Sequence, residues 1–227
     1  MSARVFKPRT CVAIKQHNPN AENGLYTLYN EVGGSPFTTF CDFTSDPSFV
    51  WTLVGSLSFN EARKKENRVG FYYNAPINEC FATNISNFRL PKSRMEGIYQ
   101  APTTNYVRAT CNFDFEESQA GYKECIRFLT CPYSILQSSL SYCIKADYIK
   151  IFNYSCRGCY LYLSGGRTSH PFFWTHYCSR KSPDLLKVMP KNGNLQYFGN
   201  YATFSSKFSC TNKPDSLTNW WFGGTYL

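Results

Sequence analysis

The stretch that decides the fold of this chain reads Pro36-Phe37-Thr38-Thr39-Phe40-Cys41-Asp42-Phe43-Thr44-Ser45. Aromatic and β-branched residues dominate it, which is typical of a β-strand. The other early cysteine, Cys11, lies upstream, and a Gly24-Leu25-Tyr26 segment separates the two cysteines. We therefore expect a strand-rich fold that carries cysteines among its strands.

Eleven cysteines in 227 residues place the protein outside the cell. In a reducing cytosol so many thiols would be a liability, whereas in an oxidising compartment they form disulfides that stiffen a loop-rich fold. A chain of this length also buries a sizeable core, so the disulfides supplement that core. Because the count is odd, at least one thiol is left over, and it is either free and buried or paired with another chain.

The composition favours a compact, secreted, β-rich protein. Aromatic residues make up 18% of the chain and charged residues 17%, a balance that argues against disorder. The net charge of +9 is spread along the sequence, with Arg63-Lys64-Lys65 as the only run. A nucleic-acid-binding protein concentrates its basic residues on one face or segment, so we predict no nucleic-acid partner. We also predict no membrane insertion, because no apolar run approaches the roughly 20 residues that cross a bilayer.

Strand signals dominate the rest of the chain. Short aromatic and β-branched runs alternate with clusters of Gly, Pro, Asn and Ser. The predicted strands are Phe37–Phe43, Trp51–Phe59, Tyr148–Tyr154 and Tyr160–Leu163.

Helix signals are confined to two segments, residues 60–65 and 90–99. In the second, Pro91 opens a short helix that carries Met95 and Ile98. A polar, charged segment follows Ser58, and the strands and cysteines then continue without a comparable break. We therefore predict an N-terminal unit over residues 1–59 and a larger β-rich body over residues 60–227.

The opening fifth of the chain resembles the first subdomain of fibrinogen-related domains and of the intelectin lectins. The shared pattern is a cysteine, a Gly-x-Tyr strand, a second cysteine followed by Asp and small polar residues, and a Trp-Thr strand. These elements occur in that order at residues 11–14, 23–28, 36–45 and 51–56. The resemblance implies an α+β fold with a small disulfide-stapled N-terminal subdomain and a larger antiparallel-sheet body with few short helices and long loops. It also implies a Cys11–Cys41 disulfide, valued at roughly 3 to 4 kcal/mol by loop-entropy arguments.

The rest of the chain departs from that family's pattern. The closely spaced aspartates of the family's calcium loop are missing, and so is the His- and Glu-rich segment of intelectins. The aspartates that follow Leu140 are Asp147, Asp184 and Asp215. Residues 108–113, 156–159 and 219–224 look instead like a divergent invertebrate branch of fibrinogen-like secreted proteins, some of them from mucus or skeletal matrix.

We therefore predict no cofactor. Calcium bound by Asp114-Phe115-Glu116-Glu117 stays an alternative hypothesis, although a calcium site needs more oxygen ligands than this segment offers. His170 and His176 could share a metal only if Pro171 turns the chain between them, so a metal site stays undetermined.

Aromatic residues beside polar ones are the candidate ligand-binding residues. Sugar rings stack on Trp and Tyr, while their hydroxyls need a few polar partners, and the family places its ligand pocket in the C-terminal half. Two groups fit this chemistry: His170, Trp174, His176 and Tyr177, and Asn219, Trp220, Trp221 and Tyr226. Because neighbours in a strand point to opposite faces, we expect one of the two adjacent tryptophans to be exposed and the other buried. The alternative is that these aromatics belong to the core.

Several other motifs have a structural interpretation. Cys156-Arg157-Gly158-Cys159 has the spacing of a redox motif or of half a zinc site, but it lacks the context of either, so we predict structural disulfides. We also expect Cys178 to pair with Cys210 and close the C-terminal loop. Asn84 and Asn153 begin Asn-x-Ser acceptor triplets and are predicted glycosylation sites.

The predicted function is that of a secreted, non-catalytic recognition module, with carbohydrate as the leading ligand class. No Gly-x-Ser-x-Gly elbow is present, and no cysteine has the flanks of a thiol protease, so we predict no enzyme. The alternative is an adhesive matrix or mucus protein that acts through protein contacts as a disulfide-linked or non-covalent homo-oligomer. A secreted enzyme or toxin on the same scaffold is the third hypothesis. The predicted partners are therefore glycans or extracellular proteins.

Overall fold

Antiparallel β-sheet makes up most of the fold. The computed structural model describes residues 6–30, 34–116, 122, 124–166, 169–174, 178–180, 182–188, 197–199 and 204–226. These residues form four short α-helices: α1 (Cys11–His17), α2 (Phe59–Arg63), α3 (Lys92–Tyr99) and α4 (Pro183–Val188). They also form twelve strands: β1 (Gly24–Tyr29), β2 (Pro36–Asp42), β3 (Phe49–Ser58), β4 (Asn87–Arg89), β5 (Tyr106–Cys111), β6 (Glu124–Leu129), β7 (Ser139–Lys145), β8 (Tyr148–Ile151), β9 (Tyr154–Cys156), β10 (Tyr160–Gly166), β11 (Ser169–Trp174) and β12 (Leu217–Thr225).

The strands build one large sheet and one small sheet. The large sheet has the order β1-β2-β3-β12-β5-β6-β8-β9, and β4 pairs with β3 beside this path. The small sheet has the order β11-β10-β7. All described strand pairs are antiparallel. With its few short helices, the fold is of the α+β class, as the sequence predicted.

The centre of the large sheet is buried on both faces. β12 lies between β3 and β5, and both Trp220 and Trp221 on it are at most 3% exposed. The Trp220 ring packs on one face against Phe71 and Phe173, with ring centroids 5.7 and 6.2 Å apart. The Trp221 ring packs on the other face against Phe113, 4.6 Å away. The expectation that one of the two tryptophans is exposed is therefore wrong, because both faces of this sheet are covered.

The N-terminal segment begins with a helix that the sequence did not predict. The Thr10 hydroxyl caps α1 by accepting a hydrogen bond from the Ala13 amide at 3.2 Å. Cys11 opens the helix and forms a disulfide with Cys41 at the end of β2, as the family resemblance implied. The division at residue 59 stays a prediction, and the large sheet runs across it because β3 pairs with β12 along its length.

The other disulfides differ from the expected pairing. Cys178 does not pair with Cys210: Cys178 is bonded to Cys143 on β7, and Cys210 is bonded to Cys111 at the end of β5. Cys178 is bonded to a strand of the small sheet and Cys210 to a strand of the large sheet, so the two cysteines are attached to different sheets. Sequence spacing carries no information on such contacts.

Cys156 and Cys159 bond to each other between β9 and β10, so the motif is structural. Gly158 lies between them with a φ of 71°, a left-handed conformation that glycine adopts without strain. The unpaired cysteines are Cys80, Cys125 and Cys131, and of these only Cys125 is buried. Burial raises the pKa of the Cys125 thiol to about 11, which keeps it protonated and unreactive.

Candidate functional site

The first predicted ligand region lies largely inside the protein. His170 on β11 is 5% exposed, and its Nε2 donates a hydrogen bond to the carbonyl oxygen of Asn67 at 2.7 Å. Burial and the nearby charge of Arg89 lower the pKa of His170 to about 4, so the ring is neutral at physiological pH. His170 therefore offers no surface contact for a sugar. Trp174 is half-buried at the end of β11, and the predicted His176 and Tyr177 lie outside the described residues.

The second predicted region belongs to the core. Asn219, Trp220 and Trp221 are all buried in β12. The Asn219 amide donates to the Ser56 hydroxyl at 2.7 Å and accepts from the Phe113 amide at 3.2 Å, which is a structural role. Tyr226 is half-buried and lies beneath the Lys15 ammonium. These tail residues do not form the exposed aromatic surface that the sequence predicted, because the sheet is covered on both faces.

An open groove lies instead along one side of α3, and we call it the α3 groove. Met95 and Ile98 fix the helix by burying its inner side against the core. The groove side carries Lys92, Glu96 and Tyr99, whose spacing of four and three residues places them on one face of the helix. The helix therefore presents two charges and an aromatic ring to the groove.

The groove has a volume of about 550 Å³, which is within the range of small-ligand sites. Its other walls come from the segment before α3, from the residue after the helix and from the loop that leads into β7. These residues are Tyr72, Gln100, Ser134, Leu136, Gln137, Ser138 and Ser139. The lining thus combines aromatic rings with amides, hydroxyls and one ion pair.

The aromatic walls of the groove are held in place. The Tyr99 hydroxyl meets the carbonyl oxygens of Thr130 and Tyr133, at 2.8 Å for Thr130, and ties α3 to the loop before β7. Burial raises the pKa of the Tyr99 hydroxyl to about 12, so this group stays a donor. On the other side, the Lys92 ammonium lies 4.5 Å from the centroid of the Tyr72 ring.

The groove side of α3 is electrically balanced. The Lys92 ammonium also lies 3.2 Å from the Glu96 carboxylate, so the two charges on this side of the helix compensate each other. This contrasts with the net charge of +9 for the whole chain. The polar chemistry of the groove therefore consists of hydrogen-bonding groups rather than of a strong field.

A second open pocket lies at the hairpin turn between β8 and β9 and has a volume of about 450 Å³. Lys150, Lys207 and Asn153 contribute to it, together with Phe152. Asn153 is exposed and begins one of the predicted glycosylation triplets, so a glycan on Asn153 would cover this pocket. The other predicted acceptor, Asn84, is also exposed and accepts a hydrogen bond from the Ser86 hydroxyl of its own triplet.

Metal-ligating groups are scattered in the part of the chain that the structure describes. Within those residues no three His, Cys, Asp or Glu side chains lie close enough to hold a metal ion. In the predicted calcium segment, the Asp114 carboxylate accepts a hydrogen bond from the Glu116 amide at 3.0 Å, and Glu117 lies outside the described residues.

Comparison with protein-family models gives no match for this chain. No helix in the described ranges is both long enough and apolar enough to cross a bilayer.

Sequence reasoning found α3 but missed the groove beside it. A short helix that carries Met95 and Ile98 was predicted, and helical periodicity places Lys92, Glu96 and Tyr99 together on a neighbouring face of that helix. That signal was available in the sequence. The facing wall of the groove could not be predicted from the sequence, because Tyr72 and the loop at residues 134–139 reach the groove only through the tertiary fold.

Proposed function

We propose that this chain is a secreted, non-catalytic recognition module that binds carbohydrate in the α3 groove. The observation that carries the proposal is the juxtaposition of two tyrosine rings, Tyr72 and Tyr99, with amide and hydroxyl side chains in one open groove. Four disulfides support an oxidising, extracellular setting.

The groove offers both halves of sugar recognition. The CH faces of a sugar ring stack on aromatic side chains, and its hydroxyls exchange hydrogen bonds with amides, hydroxyls and bridging water. Gln100 and Gln137 both line the groove and add amide donors and acceptors to it. Because Lys92 is compensated by Glu96, we expect neutral hexoses to bind better than sulfated or carboxylated sugars.

We also propose that the fold is a divergent member of the fibrinogen-related group. The ordered segments between residues 11 and 56 support this assignment, as do the Cys11–Cys41 disulfide and a large antiparallel sheet with few short helices. Carbohydrate recognition without a calcium loop would then place the ligand in a groove built from side chains alone.

A neutral-glycan array tests the proposed function, with Tyr72→Leu as the decisive variant. Tyr72→Leu keeps an apolar side chain but removes the ring and its hydroxyl. The matched control is Tyr29→Leu, because Tyr29 is also half-buried beneath a lysine ammonium, that of Lys7, and lies outside the groove lining. We expect the dissociation constant measured by calorimetry for the best array ligand to rise at least about tenfold in Tyr72→Leu, the cost of one or two lost contacts. The control should bind like the native chain.

The array is run with calcium and then with a chelator. Binding that survives the chelator supports recognition by stacking and hydrogen bonds, whereas binding lost in the chelator would indicate a calcium-dependent lectin. An array that is blank in both conditions contradicts the carbohydrate proposal, as does equal binding by the two leucine variants.

A second candidate function is assembly into an adhesive oligomer. It is favoured by two exposed unpaired cysteines, Cys80 and Cys131, and by Phe81 beside Cys80, which is 68% exposed. We expect a covalent dimer on non-reducing gels that disappears in Cys80→Ser or Cys131→Ser. A native chain that stays monomeric under oxidising conditions would exclude disulfide-linked assembly.

A further inference from the structure

The open pocket at the turn between β8 and β9 has a glycosylation acceptor in its own wall, and we call it the turn pocket. Asn153 lines the pocket, is exposed and begins the triplet Asn153-Tyr154-Ser155. An N-linked glycan is attached to the side chain of the asparagine in such a triplet. The first sugar of a glycan on Asn153 therefore starts at the pocket itself.

The backbone fixes the position of Asn153. Ile151 pairs with Tyr154, so Phe152 and Asn153 form a two-residue turn, and their φ values are 50° and 62°. A type I′ hairpin turn requires positive φ at both positions, which asparagine tolerates and phenylalanine rarely adopts. The Glu124 carboxylate holds this turn by accepting a hydrogen bond from the Phe152 amide at 2.9 Å. The turn that presents Asn153 is thus anchored to the first residue of β6.

The turn pocket offers the contacts that an N-acetylated sugar needs. Its volume of about 450 Å³ is within the range of small-ligand sites. The half-buried residues Phe152 and Tyr122 bring aromatic side chains to its wall, and Asn212 brings an amide. The CH face of a sugar stacks on aromatic rings, and its hydroxyl and acetamido groups exchange hydrogen bonds with amides and ammonium groups.

The charges of the turn pocket favour a neutral occupant. Lys150 and Lys207 line it and are exposed, and among the described residues no carboxylate forms an ion pair with either lysine. The buried Glu124 carboxylate also lines the pocket and offsets part of their charge. Its oxygens already accept from the amides of Phe152 and Ser209, so the carboxylate does not compete for the lysines. The two ammonium groups are therefore left to donate to uncharged oxygens.

We propose that Asn153 carries an N-linked glycan whose first N-acetylglucosamine folds back into the turn pocket, against Phe152 and Tyr122 and beside the two lysines. A tethered ligand has an effective concentration in the millimolar range, so weak contacts are enough to hold this sugar. The seated sugar stabilises the fold by covering the turn. The proposal takes its secreted setting from the proposed function but does not depend on ligand binding in the α3 groove.

Thermal unfolding of the glycosylated chain tests the proposal, with the full chain secreted from eukaryotic cells behind an added signal peptide. Asn153→Gln removes the glycan, and we expect Tm to fall by about 2 to 4 °C in a chain of this size. Asn84→Gln is the matched control, because Asn84 is an exposed acceptor outside the pocket lining, and it should unfold like the native chain. An unmodified Asn153 in the mass spectrum of the secreted protein overturns the proposal, as does a native Tm in Asn153→Gln.

A double-mutant cycle tests the contact between sugar and pocket. Lys207→Met should lower Tm in the glycosylated chain and leave it unchanged in the Asn153→Gln background. Lys213→Met is the matched control, because Lys213 is exposed and lies outside the pocket lining, and its effect should be the same in both backgrounds. If the effect of Lys207→Met were also the same in both backgrounds, Lys207 would not contact the sugar and the proposed seat would be wrong.

Trimming the glycan separates the seated sugar from the rest of the glycan. An endoglycosidase that leaves only the first N-acetylglucosamine should keep the native Tm, and a Tm as low as that of Asn153→Gln after trimming contradicts the proposal. Crystals of the trimmed protein then locate the sugar. Electron density against Phe152 and Tyr122 supports the seat, whereas a sugar on Asn153 that points into solvent overturns it.

These results are independent of the test of the proposed function. A blank glycan array contradicts carbohydrate binding in the α3 groove but leaves the Tm and crystal results for Asn153 unchanged. Conversely, a glycan on Asn153 that points into solvent leaves the array result for the α3 groove unchanged.

Discussion

Two arginines are buried on opposite faces of the large sheet, and the protein compensates their charges in different ways. Arg108 on β5 lies in the row of Trp221, and Arg89 on β4 lies in the row of Trp220. Both guanidinium groups are at most 1% exposed. Among the described residues Arg108 has a carboxylate partner and Arg89 has none, so the pair shows two ways in which a buried cation is accommodated.

Arg108 has a carboxylate, a hydroxyl and aromatic rings around it, although its Nε, like that of Arg89, has no hydrogen-bond partner among the described residues. Its Nη2 donates to the Asp42 carboxylate at 2.7 Å, and its Nη1 donates to the Ser45 hydroxyl at 2.8 Å. The guanidinium carbon lies 4.5 and 4.7 Å from the ring centroids of Trp51 and Trp221, a distance at which the ring faces attract a cation. Charge, hydrogen bonds and aromatic faces are thus all supplied by the chain.

Arg89 has hydrogen-bond acceptors and one aromatic ring around it, but no carboxylate among the described residues forms an ion pair with it. Three carbonyls accept from it, and the Phe71 ring lies 5.2 Å from its guanidinium carbon. Burial lowers the pKa of Arg89 to about 10, because desolvation disfavours the charged form. The comparison teaches that a buried cation can be held by backbone carbonyls in one place and by a carboxylate in another, and that only the second arrangement supplies an opposite charge.

The largest effect that would sharpen this comparison comes from removing the carboxylate. We expect Asp42→Asn to reduce the free energy of unfolding by about 3 to 5 kcal/mol, because Arg108 would remain buried without its counter-charge. Denaturant unfolding at pH 7 measures this cost. The matched control is Asp184→Asn, which breaks an exposed pair with Lys187 and should give no measurable change. Equal costs for the two variants would contradict the role assigned to Asp42.

The second prediction concerns the pH dependence of stability that His170 causes on the Trp220 face of the sheet. Its pKa is about 4 in the folded protein against roughly 6.5 in an unfolded chain, so between these values the unfolded state binds more protons. The contribution of His170 is fully present above about pH 6.5 and is lost as the pH falls towards 4, by about 3 kcal/mol in total.

The measurement compares unfolding free energies of the native chain and His170→Gln at several pH values. Glutamine can still donate to the Asn67 carbonyl but does not titrate, so the variant isolates the histidine from the carboxylates. We expect the difference between the two proteins to shrink as the pH falls from 6.5 to 4. A difference that is independent of pH would mean that His170 takes up its proton in the folded state as readily as in the unfolded one.

The smallest expected effect comes from removing the uncompensated arginine itself. Arg89→Met should cost only about 1 to 3 kcal/mol, since the loss of bonds to three carbonyls is offset by removal of an unpaired buried charge. Arg108→Met should cost more, because it leaves the Asp42 carboxylate buried and unpaired. If Arg89→Met and Arg108→Met lowered the free energy of unfolding equally, the proposed difference between the two arginines would be contradicted.

Local patterns in the sequence predicted much of the fold. Runs of aromatic and β-branched residues located β2, β3 and β10, and Pro91 located the start of α3. One predicted strand, Tyr148–Tyr154, is in fact two, because Phe152 and Asn153 adopt positive φ values of 50° and 62° and form a turn. Phe152 gives no local signal of a turn, whereas Asn153 is a residue that favours one.

The candidate site was less accessible to sequence reasoning because it depends on long-range packing. Trp220 and Trp221 were predicted as ligand-binding residues, one of them exposed, yet they lie in a strand whose two faces are both covered. Tyr72 was missed because its partners, Lys92 and the loop before β7, are distant in sequence. The sequence analysis did not single out Arg89, and only the fold reveals that it is buried.

The position of β12 has a consequence for the order in which the molecule can be completed. β12 is the last of the described strands, but it pairs with β3 on one side and with β5 on the other. During synthesis, the early and middle strands therefore emerge with two open, apolar edges that no other strand of the described fold covers. The sheet is completed only when residues 217–225 insert between β3 and β5. A ribosome-bound chain that lacks this segment therefore consists of two incomplete sheets. It depends on protection from aggregation until β12 has been synthesised.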